Sequence, residues 1–256
     1  MADKKSDILD KLIQFIENER EIYGDFSTAR EIESEIVNSP VSEQSPEQKT
    51  EKPSVTADQL LTLEEKLKTC SSLDQLRKLC AAADELKTDL ENTNLVFGVG
   101  NPNADLMLIG EAPGEQEDIQ GEPFVGPAGQ LLNKILKAID FERGDIYIAN
   151  ILKHRPPGNR NPNEDERARS LPYLMRQIDL INPKIILCLG KVAGLTLLNK
   201  DTTLRSIRGK FHEFKGIELT VTYHPAALLR NPKWKRPTWE DVQMVRKRYD
   251  ELGGKP

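Results

Sequence analysis

Four short apolar runs, each stopped by turn-forming residues, constrain this chain more than any other feature. They are Asp105-Leu-Met-Leu-Ile-Gly110, Ile146-Tyr-Ile-Ala-Asn150, Lys184-Ile-Ile-Leu-Cys-Leu-Gly190 and Glu218-Leu-Thr-Val-Thr-Tyr223. Helical stretches at 131–139, 164–181 and 192–198 lie between them, and two more, at 57–69 and 72–86, precede them. Strands that alternate with helices call for a parallel sheet covered on both faces. The expected fold is therefore α/β: a three-layer α/β/α sandwich around a central four-stranded, mainly parallel sheet. In such sheets ligands bind beyond the carboxyl ends of the strands. Chemistry should then lie just after the apolar runs.

The chain divides unevenly. Residues 7–22 place Ile8, Leu12, Ile13, Phe15, Ile16 and Ile22 at helical spacing, an amphipathic helix within a segment spanning 1–37. Residues 38–56 hold almost nothing apolar and three prolines, the composition of a flexible linker. The main domain is expected over 57–252. The tethered helix has an apolar face to dock on a protein partner, on the main domain or on another copy; the protein is expected to be a monomer.

Charge follows the same division. Residues 1–56 carry 13 acids and 7 bases, a net of −6, which leaves +1 for the rest of a chain whose total is −5. Within that rest, residues 201–248 hold 11 bases and 5 acids, a net of +6. A polyanion feels the local field over roughly 8–10 Å, not the total, so the split is compatible with DNA without demanding it. Cys70, Cys80 and Cys188 are odd in number and far apart, which argues against a disulfide framework. With no apolar stretch long enough to span a bilayer and no signal-like leader, a cytoplasmic location without membrane attachment is expected.

The residues after the runs carry the chemistry. Gly110-Glu-Ala-Pro-Gly114, Glu117-Asp118 and Gly121-Glu-Pro-Phe-Val-Gly126 make a glycine-rich loop built for close backbone approach. Asn150 ends the second run and leads into the basic loop Lys153-His-Arg-Pro-Pro-Gly-Asn-Arg160. The fourth run ends in His224-Pro225-Ala226, followed by Leu228, Leu229 and Arg230. Glu111, Asn150 and His224 thus fall at three strand ends on one rim. Singly, each has a plain structural reading: a cap, a turn, a histidine before proline. Together they put three different chemistries on one edge.

Five of these motifs, in this order, resemble those of the family 4 uracil-DNA glycosylases: Gly110-Glu-Ala-Pro-Gly114, Pro123-Phe-Val-Gly126, Tyr147-Ile-Ala-Asn150, Lys153-x-Arg-Pro-Pro-Gly-Asn-Arg160 and His224-Pro225-Ala226. The similarity runs from about residue 94 to 241. It implies hydrolysis of the N-glycosidic bond of uracil in DNA, leaving an abasic site, and uracil-containing DNA as the partner. It also implies roles. Phe124 would stack on a flipped-out uracil, and the Asn150 amide would read its N3–O4 edge, a pattern cytosine inverts. The backbone of Gly110, Glu111 and Ala112 would line the pocket, and Glu117 would crowd C5 against the thymine methyl. His224 would stabilise the departing uracilate at O2, and Glu111 would orient water or offset the oxocarbenium charge. Arg155 and Arg160 would meet DNA, while Leu228, Leu229 and Arg230 would enter the stack vacated by the base.

One departure stands out. Family members hold a four-iron, four-sulfur cluster on four cysteines; here the matching positions read Cys80, Ala83, His154 and Ser170. One thiolate, even joined by His154, makes no closed site, so no cluster and no metal are expected. The loss leaves a second reading open: a non-catalytic binder of damaged or abasic DNA that uses the same pocket.

Overall fold

A computed structural model describes residues 62–254 of the chain. The readings made above for the N-terminal helix and its linker lie outside the described residues. Within them, six strands form one sheet: β1 (Val99–Gly100), β2 (Leu106–Gly110), β3 (Tyr147–Asn150), β4 (Ile185–Leu189), β5 (His212–Phe214) and β6 (Ile217–Thr222). Their order is β1-β3-β2-β4-β6-β5. The four expected strands β3, β2, β4 and β6 are its parallel centre. β1 and β5 extend it antiparallel at each edge, making six strands where four were expected. At two and three residues, both edge strands are too short to leave an apolar pattern in the sequence.

The described helices are α1 (Leu63–Thr69), α2 (Leu73–Ala81), α3 (Glu115–Gln120), α4 (Pro127–Ala138), α5 (Glu164–Ile181), α6 (Lys191–Leu198), α7 (Leu204–Ile207), α8 (Pro225–Arg230) and α9 (Lys235–Glu251). Local chemistry fixes their ends. Asn163 caps α5 by accepting from the Glu166 N–H at 2.8 Å while the Glu166 carboxylate accepts from Asn163 N–H, also at 2.8 Å. Pro127 opens α4 at the first-turn position where its missing N–H costs nothing. α9 was not legible because Val242, Val245 and Tyr249 are nearly the whole of its buried apolar stripe, set in a strongly charged segment.

Every residue of β2 and β4 is buried, and successive side chains serve opposite faces. Met107, Ile109, Ile186 and Cys188 pack against Leu174 and Ile178 of α5 and Ala193 of α6. Leu106, Leu108, Leu187 and Leu189 meet Leu132, Ile135 and Leu136 of α4 and Val242 of α9. At about 1.5–3 kcal/mol for each fully buried aliphatic chain, these two layers hold the sandwich together. The helices α1 and α2 and the turn after them add a satellite core against Tyr173 of α5, built from Leu67, Leu76, Cys80 and Leu86. Cys70, Cys80 and Cys188 are all free and buried.

The chain leaves β2 for β3 on one side and returns to β4 on the other, so the order of the strands reverses at β2. Gly110 and Glu111 therefore stand at the crevice where such sheets bind ligands.

Candidate active site

The sheet ladder runs past the strand ends and ties two loops together. Gly110 is opposite Asn150, then Ile151 N donates to Gly110 O at 3.0 Å and Leu152 N to Glu111 O at 3.1 Å. This places the Asn150 side chain beside the Gly110 backbone. A methyl group at Gly110 would overlap Asn150 Oδ1 and come 2.6 Å from Phe124 Cζ. Glycine is needed there for contact, not for its dihedral freedom.

Asn150 is only 2% exposed, and its Oδ1 has no hydrogen-bond partner. A buried acceptor left unpaired costs about 1–3 kcal/mol, so its persistence needs a reason. The backbone of the same residue is anchored: Lys153 Nζ donates to Asn150 O at 3.1 Å, to Phe97 O at 3.2 Å and to Gln177 Oε1 at 2.7 Å. Burial lowers the Lys153 pKa to about 8, the expected sense for an ammonium taken out of water.

Phe124 is buried and held at φ +55°, a left-handed conformation that costs a bulky residue about 1–2 kcal/mol. Its ring lies 5.5 Å, centroid to centroid, from the His224 ring. His224 follows β6 and caps α8, its Nδ1 accepting from Ala226 N at 3.2 Å. Burial, aided by the Arg230 charge, holds its pKa down to about 4. The ring is therefore neutral near pH 7; with Nδ1 accepting, its proton sits on Nε2, which is left as a donor. Behind it, Asp241 of α9 accepts from Thr222 Oγ1 at 2.7 Å and from both nitrogens of the Arg208 fork, at 2.8 and 3.0 Å, fixing the end of β6.

Glu111 is half-buried, and burial raises its carboxyl pKa above the ordinary value against the pull of Arg167 and Arg230. Glu117 is fully engaged. Its Oε1 accepts from Val125 N and Gly126 N, each at 2.9 Å, and its Oε2 from Gly114 N at 3.2 Å. It shapes the glycine-rich loop as well as flanking it.

The structure brings Gly110, Phe124, Asn150 and His224 together. The other sequence candidates separate by their contacts. Arg155 donates to Asn159 Oδ1 at 2.7 Å and lies 3.6 Å from Glu115. The Arg160 fork grips both oxygens of Glu166 at 2.7 and 2.8 Å. Both arginines brace their own loop. Leu228 is 1% exposed and belongs to the packing of α8, so in this conformation it is not available to enter a base stack. Leu229 and Arg230 are exposed.

At the four positions of the family's cluster, the side chains are already occupied or inert. Burial pushes the Cys80 thiol up to about 11, which keeps it protonated. Ala83 has no donor, Ser170 Oγ donates to Ile151 O at 2.6 Å, and His154 Nδ1 pairs with Thr93 Oγ1 at 3.0 Å. These residues do not fit a cluster. Among the described residues no three His, Cys, Asp or Glu side chains are grouped to hold a metal ion.

The sequence reading placed Lys153 in the basic loop without its role beneath Asn150, and it missed Arg143, whose guanidinium reaches the carbonyls of Pro123 and Phe124. Lys153 follows the second run but is fully buried, Arg143 follows none, and only contacts made by the folded chain reveal what either holds.

Comparison with known proteins agrees with this geometry. Residues 97–243 match the model of the Uracil DNA glycosylase superfamily. A Type-4 uracil-DNA glycosylase of Archaeoglobus fulgidus is 41% identical over 69% of this chain and 89% of its own length. One from Sulfurisphaera tokodaii is 42% identical over 72% of this chain and 92% of its own. A third, from Saccharolobus solfataricus, is 44% identical over 64% and 78%. With more than half of the chain matched and the motif residues gathered on one sheet rim, this protein belongs to the uracil DNA glycosylase superfamily.

Proposed function

We infer that this protein is a uracil-DNA glycosylase, a DNA repair hydrolase that cuts the bond between uracil and its deoxyribose. The observation that carries this is the unpaired, buried Asn150 Oδ1 beside the Phe124 ring, with a neutral His224 across that ring. A buried acceptor with no protein partner is what a site for a ligand N–H requires. Uracil supplies that N–H at N3 and an acceptor at O4 for the amide NH2. Cytosine offers an acceptor and a donor instead, and meets two mismatches.

The base, swung out of the helix, stacks on Phe124 against the backbone of Gly110, Glu111 and Ala112. As the C1′–N1 bond breaks, its electron pair leaves with uracil and the sugar becomes an oxocarbenium ion. His224 Nε2–H donates to O2, where the negative charge gathers. Glu111 positions the water whose oxygen bonds to C1′, and its carboxylate offsets the sugar's positive charge. The water's proton is released, and N1 of uracil is later protonated by solvent. Glu117 sets the wall near C5 that a thymine methyl would strike. On the DNA side, Leu229 fills the vacated stack and Arg230 meets phosphate, while Arg155 and Arg160, bound to Asn159 and Glu166, keep the neighbouring basic loop in shape.

Purified protein is expected to convert a uracil-containing oligonucleotide to one cleaved by alkali. Failure on both single- and double-stranded substrates, with tight binding to an abasic site retained, would replace the enzyme by a non-catalytic damage binder.

The chain works without an iron–sulfur cluster on this reading. Its support is the donor set: one protonated thiol, a histidine paired to threonine, a serine paired to a carbonyl, and an alanine. The preparation should be colourless, without stoichiometric iron after anaerobic purification. Broad absorbance at the blue end of the visible with matching iron content would contradict it.

A further inference from the structure

Phe124 holds a backbone conformation that a phenylalanine does not choose unaided, and it is held from two sides, by Glu117 of the glycine-rich loop and by Arg143 from outside it. On the carbonyl side, Arg143 Nη2 donates to Pro123 O at 2.8 Å and Arg143 Nη1 to Phe124 O at 3.1 Å. The same Nη1 donates to Asn133 Oδ1 of α4 at 3.2 Å, which fixes the guanidinium to the helix. On the amide side, the next two N–H groups, of Val125 and Gly126, both donate to Glu117 Oε1 at 2.9 Å. A cation thus grips two consecutive carbonyls and an anion grips the two amides that follow. Gly129 completes the seat, because any Cβ there would overlap the Phe124 carbonyl.

A planar fork matched to two adjacent carbonyls fixes direction as well as distance, which a lysine ammonium does not do. The ring it steers lies against Gly110 and 5.5 Å from His224. We propose that Arg143 is a positioning residue for the base-stacking platform: with Glu117 opposite, it clamps the Phe124 peptide and so sets the height and tilt of the ring under a bound pyrimidine. The proposal takes as given the uracil-binding reading of the site. Arg143 acts through Phe124, its guanidinium being engaged by the Pro123 and Phe124 carbonyls and by Asn133.

The test uses the full chain with Arg143→Met and Arg143→Lys. Uracil affinity is measured by direct titration of free uracil, excision by single-turnover rate, and DNA affinity with an oligonucleotide bearing a tetrahydrofuran abasic analogue. Arg143→Met should weaken free-uracil binding and slow excision, each about tenfold, the scale of losing much of one base–aromatic stack. Affinity for the abasic analogue should stay within about twofold, since that ligand places nothing on Phe124. Arg143→Lys, which keeps the charge and one carbonyl contact, should fold as wild type and fall between the two; it decides the matter if the methionine variant does not fold. Wild-type uracil binding and rate in a folded variant would overturn the proposal, as would an equal loss of abasic-DNA affinity. Absence of excision by wild type would count against the enzyme reading alone, because the uracil titration still reports on the clamp.

Discussion

His224→Ala is expected to lower the single-turnover rate of uracil release by about 10²–10³-fold, the usual consequence of removing one preorganised donor to a developing oxyanion. The protein should remain folded, because the ring's one backbone bond is the accepted N–H of Ala226, in a helix also started by Pro225. Binding to uracil-DNA should change little, since the interaction strengthens only as charge moves onto O2. The pH dependence sharpens the test. With the His224 pKa held down to about 4, the imidazole is neutral throughout the range in which an ordinary histidine titrates. The ratio of wild-type to variant rates should therefore be flat from about pH 5 to 8. A ratio that collapses as pH rises through about 6.5 would mean that an imidazolium does the work, and the neutral-donor assignment would fall. Glu111 supplies the opposite trend. Its carboxyl pKa is raised by burial, and its proposed role requires the ionised form, so the rate itself should climb with pH through that raised value.

Asn150→Ala should be as damaging to recognition as His224→Ala is to the chemical step, and it carries an unusual stability signature. Both hydrogen bonds to the base edge disappear, so kcat/KM for uracil should fall by about 10²–10³-fold and free uracil should bind correspondingly less well. Most polar-to-alanine changes in a core also destabilise. Here the deleted Oδ1 is an acceptor with no partner, so its removal relieves a desolvation cost of about 1–3 kcal/mol. That gain offsets the small cavity left behind. The melting temperature of the free protein should hold steady or rise by a few degrees, while catalysis is lost. A clear fall in melting temperature would mean that the amide is satisfied in the free protein and that its role is to build the pocket.

Much of this was legible in the sequence because the signals are local. A strand buried on both faces must be apolar throughout, so the four parallel strands could be read directly, and the rule that ligands gather at carboxyl ends then selected Gly110, Glu111, Asn150 and His224. That only one of the four positions matching the family's cluster ligands is a cysteine was equally plain, since this is a matter of residue type alone. The edge strands β1 and β5, with two and three residues, lack the length that gives a pattern, and α9 hides its few buried side chains among charges.

What the sequence determined by itself was the sheet, its rim and the chemical types on that rim. What only the tertiary structure decided is how those groups are held. Leu228 turns into the core while Leu229 faces out, and Arg160 is bound to Glu166. Lys153 sits beneath Asn150, and Arg143 reaches across 19 residues to the carbonyl of Phe124. A hydrogen bond between segments distant in sequence depends on where the packed layers bring two backbones. Residue type names the donor, and only the folded chain supplies its acceptor.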